Sequence, residues 1–461
     1  MLRRVIQILL FVAAFCALAY AWGAYGTFRE LAYIFRRNFG DAFPIYASID
    51  PIYLNDESVS LRLVTSIAIT AVAVLISILA AMKRWPLWIC LPLAFVSVIA
   101  IDVSVAQIRD GNDSFVAPYR RQGLEYFGDV PAVNDRPLQF IANYPSISSS
   151  LSHHAGTHPP GGVLFLWLGT KLFGESVDAG AWWSVCFGAL GIFPTYWFAS
   201  TILGSLRARR VLPLYLVTPS LVIFGATSMD IVFFAFAAFS LATMFWAMRR
   251  LCPMRTLIAG AAFWLAAFMS FAVITLPLIA GFYALAHAIR DPRKSLKLIG
   301  RLALVGLSFI FFQAIAGLLL RYDFQLAAQA AMHRDLRGVG VTGYENFEIW
   351  RAYSVGNIAA FLFGTGIALS AAMIVGLITI PLARPLVRRR IACLAIATPM
   401  CLIAITVSTL FTRETERVWL SVVPAMLIVA AGLRGWVIWF LVIGLLGVQS
   451  FLTECTLYTH W

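Results

Sequence analysis

Charge is what this chain has least of. Only 12% of its 461 residues are charged while 61% are hydrophobic, and the mean hydropathy is +0.84. That balance excludes a soluble globular enzyme and indicates a polytopic membrane protein. The seven cysteines (Cys16, Cys90, Cys186, Cys252, Cys393, Cys401 and Cys455) fall mostly inside apolar runs and form no CxxC pair or regular spacing, which argues against disulfides and cysteine-built zinc sites. An internal repeat, an inverted repeat of hydropathy and a low-complexity tract are also missing, so solenoids are set aside and a transporter built from paired halves is disfavoured. At about 20 apolar residues per span, there is room for a dozen or so helices and one or two ordered loops.

What is present is thirteen apolar runs of spanning length, near 5–24, 61–82, 86–107, 179–203, 211–228, 231–248, 256–271, 272–289, 298–320, 355–382, 391–411, 419–433 and 435–453. The expected fold is therefore all-α. If Arg3 and Arg4 hold the N-terminus inside, the inner turns carry 20 Lys and Arg and one acid, Asp291. The outer side then has the other 15 basic residues and 21 of the 22 carboxylates, a balance of −6 against +19 inside. This is the positive-inside pattern, so the net charge of +13 is a signal of topology and not of nucleic-acid binding. The first run also has the make-up of a signal peptide, but Ala19-Tyr20-Ala21-Trp22 is a poor cleavage site, and the run is read as a retained span. Five regions follow: 1–107 (an N-terminal hairpin plus the third span), 108–178 (an outer loop with juxtamembrane helices), 179–320 (central spans), 321–354 (a second outer loop) and 355–461 (C-terminal spans).

Three outer stretches, 25–60, 108–178 and 321–354, are too long to be turns, and a fourth, 412–418, is short and unusually charged. The largest opens with Arg109-Asp110-Gly111-Asn112-Asp113-Ser114-Phe115 and runs to Ser152-His153-His154-Ala155-Gly156-Thr157-His158-Pro159-Pro160-Gly161. The apolar piece GGVLFLWLGTKLFG that follows is 14 residues long, about 21 Å as a helix at 1.5 Å per residue. A bilayer core of about 30 Å is thicker than that. Pro159-Pro160 suits a helix start, and the piece reads as an interfacial helix on the outer face.

Asp230 lies between two apolar runs and is either an N-cap for the second or a site residue besides. In Arg413-Glu414-Thr415-Glu416-Arg417-Val418-Trp419, two arginines four apart alternate with acids, as a self-satisfied salt-bridge cluster or as an anion clamp. His154 and His158 are four apart, but Gly156 and the Pro-Pro pair argue against a regular helix that would put both rings on one face. Without a third ligand a metal reading is weak, and neutral donors to sugar or phosphate are preferred.

The order of an outer Asp after a span, a loop ending in His-Pro-Pro, a short helix ending in Phe-Gly and a helix running to an arginine-rich turn resembles the GT-C superfamily of polyprenyl-phosphate-sugar-dependent glycosyltransferases. Within it the chain is most similar to the branch of protein mannosyltransferases and lipid A aminoarabinose transferases. Asp113-Ser114-Phe115-Val116-Ala117 stands where that branch has an acidic pair, Tyr119 to Gly128 resembles the amphipathic segment after it, and Thr157-His158-Pro159-Pro160-Gly161 matches its second motif. Asp230 stands where the branch has an acid between two later helices. The likeness covers about residues 100–290. Ser114 replaces the second acid, and an extra N-terminal hairpin precedes the helix that corresponds to the branch's first span, so Asp110 stays open beside Asp113.

The compact loops and the charge bias point to a multi-pass protein of the plasma (bacterial inner) membrane, with an endoplasmic reticulum membrane as the alternative, and the topology puts its active site on the outer face. The resemblance implies a polyprenyl-phosphate sugar as donor, a glycan, lipid or protein hydroxyl as acceptor, and membrane lipids as the surroundings. No organic cofactor is implied, and a divalent metal is left open. Asp113 would take the acceptor's proton, for which an ordinary carboxylate suffices when deprotonation is coupled to bond formation. Arg413 and Arg417 would bind the leaving phosphate as forked, permanently charged donors, with His158 backed by His154 as a second candidate. Asp110, Asp230, Glu416 and Tyr344 complete the expected substrate-binding set. The loop 321–354, with Arg334, Arg337, Gly338, Gly340, Gly343, Tyr344 and Trp350, is either a lid over the acceptor or an ordinary connector. Two other functions stay in view: a transporter or flippase of a lipid-linked or small polar solute, and a GT-C-like subunit without catalysis, which Ser114 keeps open.

Overall fold

A computed structural model describes residues 2–23, 48–121, 123–289, 291–339, 344–379, 386–408, 414–433 and 435–459. The chain is an all-α bundle. Among the described residues eight helices are long and apolar enough to cross a membrane, and nine are if one bent pair counts as a span. Asp230–Arg249 is the most enclosed, 83% of its apolar window being buried, whereas Pro292–Leu320, at 17%, lies along the outside of the bundle.

The hydropathy runs are found as helices, but fewer of them are full spans than the thirteen expected. Pro253–Met269 and Leu420–Gly432 are apolar helices of sub-span length. The run 211–228 is split into Val211–Tyr215 and Pro219–Phe224, because Pro219 has no N–H for a helical bond and holds Thr218 extended, at ψ 117°. The run 355–382 bends by 104° between Phe347–Gly364 and Ile367–Thr379. Gly366 makes the corner at φ 106°, a region open chiefly to glycine. The backbone groups freed there are satisfied by one side chain. Gln449 accepts from the Ile367 N–H at 2.8 Å and donates to the Phe363 carbonyl at 2.7 Å, as an apolar interior requires.

Caps fix the helices that flank the site region. Asp56 accepts from the Ser58 and Val59 N–H groups at 2.8 and 3.4 Å to start Glu57–Lys83, and Asp291 accepts from Lys294 at 3.0 Å ahead of Pro292. The first helix, Leu2–Gly23, packs on Ile367–Thr379, where Gln7 donates to Thr379 Oγ1 at 2.8 Å, while Glu57–Lys83 packs on Leu87–Ala106. Asp102, grouped with the outer acids by sequence position, is buried within Leu87–Ala106.

At the opposite end from the arginine-rich turns, Ser48–Ile49 pairs antiparallel with Leu457–Tyr458, the one sheet among the described residues. Arg109 locks this junction. It donates to the Asp50 and Leu457 carbonyls at 2.7 and 3.0 Å and to Asp50 Oδ2 at 3.0 Å, so the long stretch 108–178 starts from a fixed point. From there come Asn112–Arg120, a 3-10 turn at Tyr126–Val133, Pro137–Ile147, the single turn His153–Thr157 and the short apolar helix Gly161–Phe173. Phe324–Val339, in the stretch 321–354, lies across Pro137–Ile147 and His153–Thr157.

Close packing in the bundle relies on small residues, as expected where lipid removes the hydrophobic drive between helices. A Cβ on Gly260 would lie 2.2 Å from Ser308 Oγ and 2.8 Å from the Ser308 backbone, whereas one on Gly306 would meet nothing within 4 Å. Gly260→Ala is therefore expected to overpack the contact by about 1–3 kcal/mol and to lower the melting temperature of detergent-purified protein. Gly306→Ala should leave it unchanged in the same thermal-shift assay.

Candidate active site

The site is assembled from four stretches far apart in sequence. Residues 123–124 pair with 153–154 through the backbone, the His153 and His154 N–H groups donating to the Gly123 and Leu124 carbonyls at 3.0 Å each. This sets Glu125 against His154, with Oε1 and Nε2 3.4 Å apart and both residues buried. Asp129 holds the same loop by accepting from the Ser152 N–H with both oxygens, at 3.2 and 3.0 Å.

As Gly156 and the Pro-Pro pair imply, no regular helix carries both histidines, His158 being extended at the end of the turn, yet the two rings lie close together. His153–Thr157 forms one helical turn, and the His154 and His158 ring centroids are 6.2 Å apart. His158 Nδ1 donates to the His154 carbonyl at 3.1 Å, so in the neutral ring Nε2 carries the lone pair. Its ring stacks on Phe233 at 5.6 Å, and Tyr126 meets His154, His158 and Phe233. Tyr144 closes the turn from behind, donating to the Ala155 carbonyl at 3.0 Å and also to that of His158. Arg334 reaches down from Phe324–Val339 to the Ser149 and Leu151 carbonyls.

Arg417 is the centre of charge. Its residue lies in the single turn Thr415–Val418, seated where Thr415 Oγ1 donates to the Asn357 carbonyl at 2.7 Å and where Glu416 packs against Gly364. The guanidinium is buried. Nη1 donates to Asp230 Oδ2 at 2.7 Å and to Ser228 Oγ at 3.2 Å, and Nη2 to Glu414. Asp230 is not the N-cap that was one of its two expected roles: Met229 holds that place, and Asp230 is the first residue of Asp230–Arg249. Its carboxylate takes Arg417 and, at 2.7 Å, the Ser228 hydroxyl, while its own N–H donates to Ser228 Oγ at 3.1 Å.

Protonation follows from this setting. Burial pushes the Glu125 carboxyl up to about 8; Arg417 opposes the rise, and Asp230 and Glu414 add to it. Burial, reinforced by Arg417, holds His154 well below the usual imidazole range. His158 is also lowered by burial, against an opposing pull from Asp230. At pH 7 the Glu125–His154 pair is therefore a carboxylic acid beside a neutral imidazole, with Arg417 charged between two carboxylates.

Of the expected site residues, His154, His158, Asp230 and Arg417 come together, and Glu416 is buried beside them in the turn that carries Arg417. Asp113 stands exposed in the first turn of Asn112–Arg120, paired with Arg120 at 2.9 Å. Asp110 is exposed just before that helix. Tyr344 donates to the Ser408 carbonyl, and Arg413 lies outside the described residues. Arg337 is in the helix Phe324–Val339, and Gly340 and Gly343 are also outside the described residues. Glu125 and Glu414 were missed as site residues. Glu125 is the sole acid from Arg121 to Gly128, flanked by Leu124 and Tyr126, and its pairing with His154 shows only in the fold. Among the described residues no group of three or more His, Cys, Asp or Glu is arranged to hold a metal.

Removing one partner of a buried ion pair costs about 3–5 kcal/mol. Asp230→Asn is expected near the lower end, since Glu414 still neutralises Arg417, and should appear as a clear loss of melting temperature. Asp113→Asn breaks only an exposed pair, worth about 0–1 kcal/mol, and serves as the control.

Residues 157–315 match the family model described as dolichyl-phosphate-mannose-protein mannosyltransferase. The matched stretch runs from the His158 turn, through Gly161–Phe173 and Asp230, into Pro292–Leu320. Glu125, Glu414 and Arg417 lie outside it. No curated protein matches the chain. The family reached by this match is the one that the His-Pro-Pro motif and Asp230 resemble, and through residues 157–315 the chain is similar to the dolichyl-phosphate-mannose-protein mannosyltransferases, a family of GT-C membrane glycosyltransferases.

Proposed function

We propose that this glycosyltransferase moves a sugar from a polyprenyl-phosphate-linked donor to a hydroxyl acceptor at the extracytoplasmic face of a bacterial-type plasma membrane. The observation that carries the reading is the buried group of Arg417, Asp230 and Glu414 beside the Glu125–His154 pair. It offers fixed positive charge and a carboxyl in a site shielded from water, where such charges act more strongly. The charge bias of the turns supports the outward orientation.

In this reading the acceptor oxygen attacks the anomeric carbon, the bond from that carbon to the phosphate oxygen breaks, and the electron pair leaves with the polyprenyl phosphate. Arg417 stabilises the leaving phosphate. Asp230 and Ser228 fix one side of its guanidinium, and Glu414, the more exposed carboxylate of the two at 18% against 11%, is the one a phosphate would replace. Such an exchange leaves the local charge nearly unchanged. The proton of the acceptor goes to a carboxylate, for which Glu125 is the best placed and Asp113, expected from the order of the motifs, is the alternative. His154 orients Glu125, and His158 offers Nε2 to a sugar hydroxyl. Phe324–Val339, anchored through Arg334, covers the histidine turn as the proposed lid.

A transporter would also use a broken helix. Here, however, the break at Gly366 is closed by Gln449, and the helix end before it packs Gly364 on Glu416, which seats Arg417. Its position is accounted for by the site.

The test is turnover with radiolabelled polyprenyl-phosphate sugar and membrane acceptors, together with mass spectrometry of co-purified lipid. Glu125→Gln should lower kcat by about 10²–10⁴ while the donor lipid still co-purifies; Arg417→Ala should lose the lipid. A base must be ionised, so kcat/KM of the native enzyme should rise with pH and level off above about 8. If Asp113→Asn removes turnover and Glu125→Gln does not, the base is Asp113; if neither does, the transferase reading falls.

A further inference from the structure

A second site lies on the other side of the 3-10 turn from the histidines. Asn112–Arg120, Tyr126–Val133, Gly161–Phe173 and the start of Val177–Ala189 enclose an open cleft of about 670 Å³, within the range of about 300–1,000 Å³ usual for small-molecule sites. We propose that this cleft is a saccharide subsite that holds the sugar portion of the acceptor. The proposal rests on the transferase reading above and names the acceptor class for it.

Three observations select a saccharide. First, the lining combines aromatic faces, Phe127 and Trp167, with hydrogen-bonding groups from Asn134, Asp135, Lys171 and Glu175. The Trp167 indole is held at its edge by donating to Asp135 at 3.4 Å, and Phe127 is packed against Gly180, where a Cβ would lie 2.7 Å from the ring. Fixed rings of this kind suit the C–H faces of sugars while the polar groups meet hydroxyls.

Second, every cation in the cleft is already matched. Lys171 pairs with Asp135 at 2.7 Å and Glu175 at 3.9 Å, and Arg120 pairs with Asp113 at 2.9 Å. A phosphate or other polyanion would gain no net attraction there, and an apolar ligand would strip water from charged groups without replacing it. A neutral ligand rich in hydroxyls can accept from Lys171 and donate to the carboxylates without breaking the pairs.

Third, the cleft lies next to the histidine turn in the chain and is flanked by exposed apolar side chains. Tyr126 touches His154 and His158, and its neighbour Phe127 faces the cleft. On Gly161–Phe173, Trp167 and Lys171 are one turn apart on the cleft side, while Leu168 and Leu172, also one turn apart, are exposed beside them. Asn134 and Asp135 both adopt positive φ, 46° and 53°, in the turn that carries them to the rim. For residues other than glycine such a conformation persists where the surroundings enforce it, often at a ligand clamp.

The experiment is saturation-transfer NMR on the full chain in nanodiscs, with maltotetraose, α-1,6-linked mannotetraose and α-1,5-linked arabinotetraose as probes and inositol hexakisphosphate as a polyanion control. At least one tetrasaccharide should receive saturation, with its affinity reduced about tenfold or more by Trp167→Ala and kept by Trp167→Phe. Lys171→Met should weaken it as well, which covers the case that Trp167→Ala does not fold. Arg417→Ala should bind the tetrasaccharide normally while losing the donor lipid, so failure of the donor site and failure of this subsite are read separately. No transfer to any of the three probes, transfer unchanged by both Trp167→Ala and Lys171→Met, or preferential binding of the polyanion would overturn the proposal.

Discussion

The constraint on which the structure depends is that one guanidinium must stay charged while buried in a chain that is otherwise mostly apolar. Desolvation of an isolated Arg417 would cost several kcal/mol, and what offsets it comes from two sides: Asp230 at the head of the most enclosed helix and Glu414 three residues back in its own turn. The same carboxylates that keep Arg417 ionised raise the affinity of Glu125 for its proton. Charge at this site is thus a shared quantity, and the state of each group is set by the others.

The backbone around it is irregular for a reason. A straight helix through 347–379 would carry its C-terminal half past the site; the corner at Gly366 stops it, and Gly364 leaves room for Glu416. The split at Thr218-Pro219 in the other broken run precedes the turn that delivers Ser228 and Asp230. Both departures from regular helix satisfy their backbone locally and lead to residues of the Arg417 group.

Much of this could be read in the sequence. The all-α membrane class followed from hydropathy, and the short helix Gly161–Phe173 from a length too small to span. His158 and Asp230 were recognisable because a motif or an unusual charge marked them, and Arg417 because it stands in a short turn where two arginines alternate with acids. Hydropathy could not show which runs break, since Pro219 and Gly366 act through backbone geometry and leave the apolar count intact. Glu125 was hidden for another reason. Its pairing depends on the contact of 123–124 with 153–154, about thirty residues away, and a lone acid among Leu124, Tyr126 and Phe127 has no local pattern to announce it. Asp113, by contrast, is conspicuous by its place after a span, and in the folded chain it faces solvent with Arg120.

The ion pair between Asp230 and Arg417 spans 187 residues of sequence, and that separation has a consequence for how the molecule is made. A chain inserted from its N-terminus delivers Asp230 to the bilayer boundary well before Arg417 has been synthesised. During that interval the carboxylate lacks its ion-pair partner, and the helix Asp230–Arg249 is without one of the contacts that enclose it. Arg109, which bonds to Leu457, waits longer still. The centre of the molecule is therefore finished last, and any chain cut short of its final helices carries an unmatched acid at the membrane boundary, a chemical mark by which incomplete copies differ from complete ones.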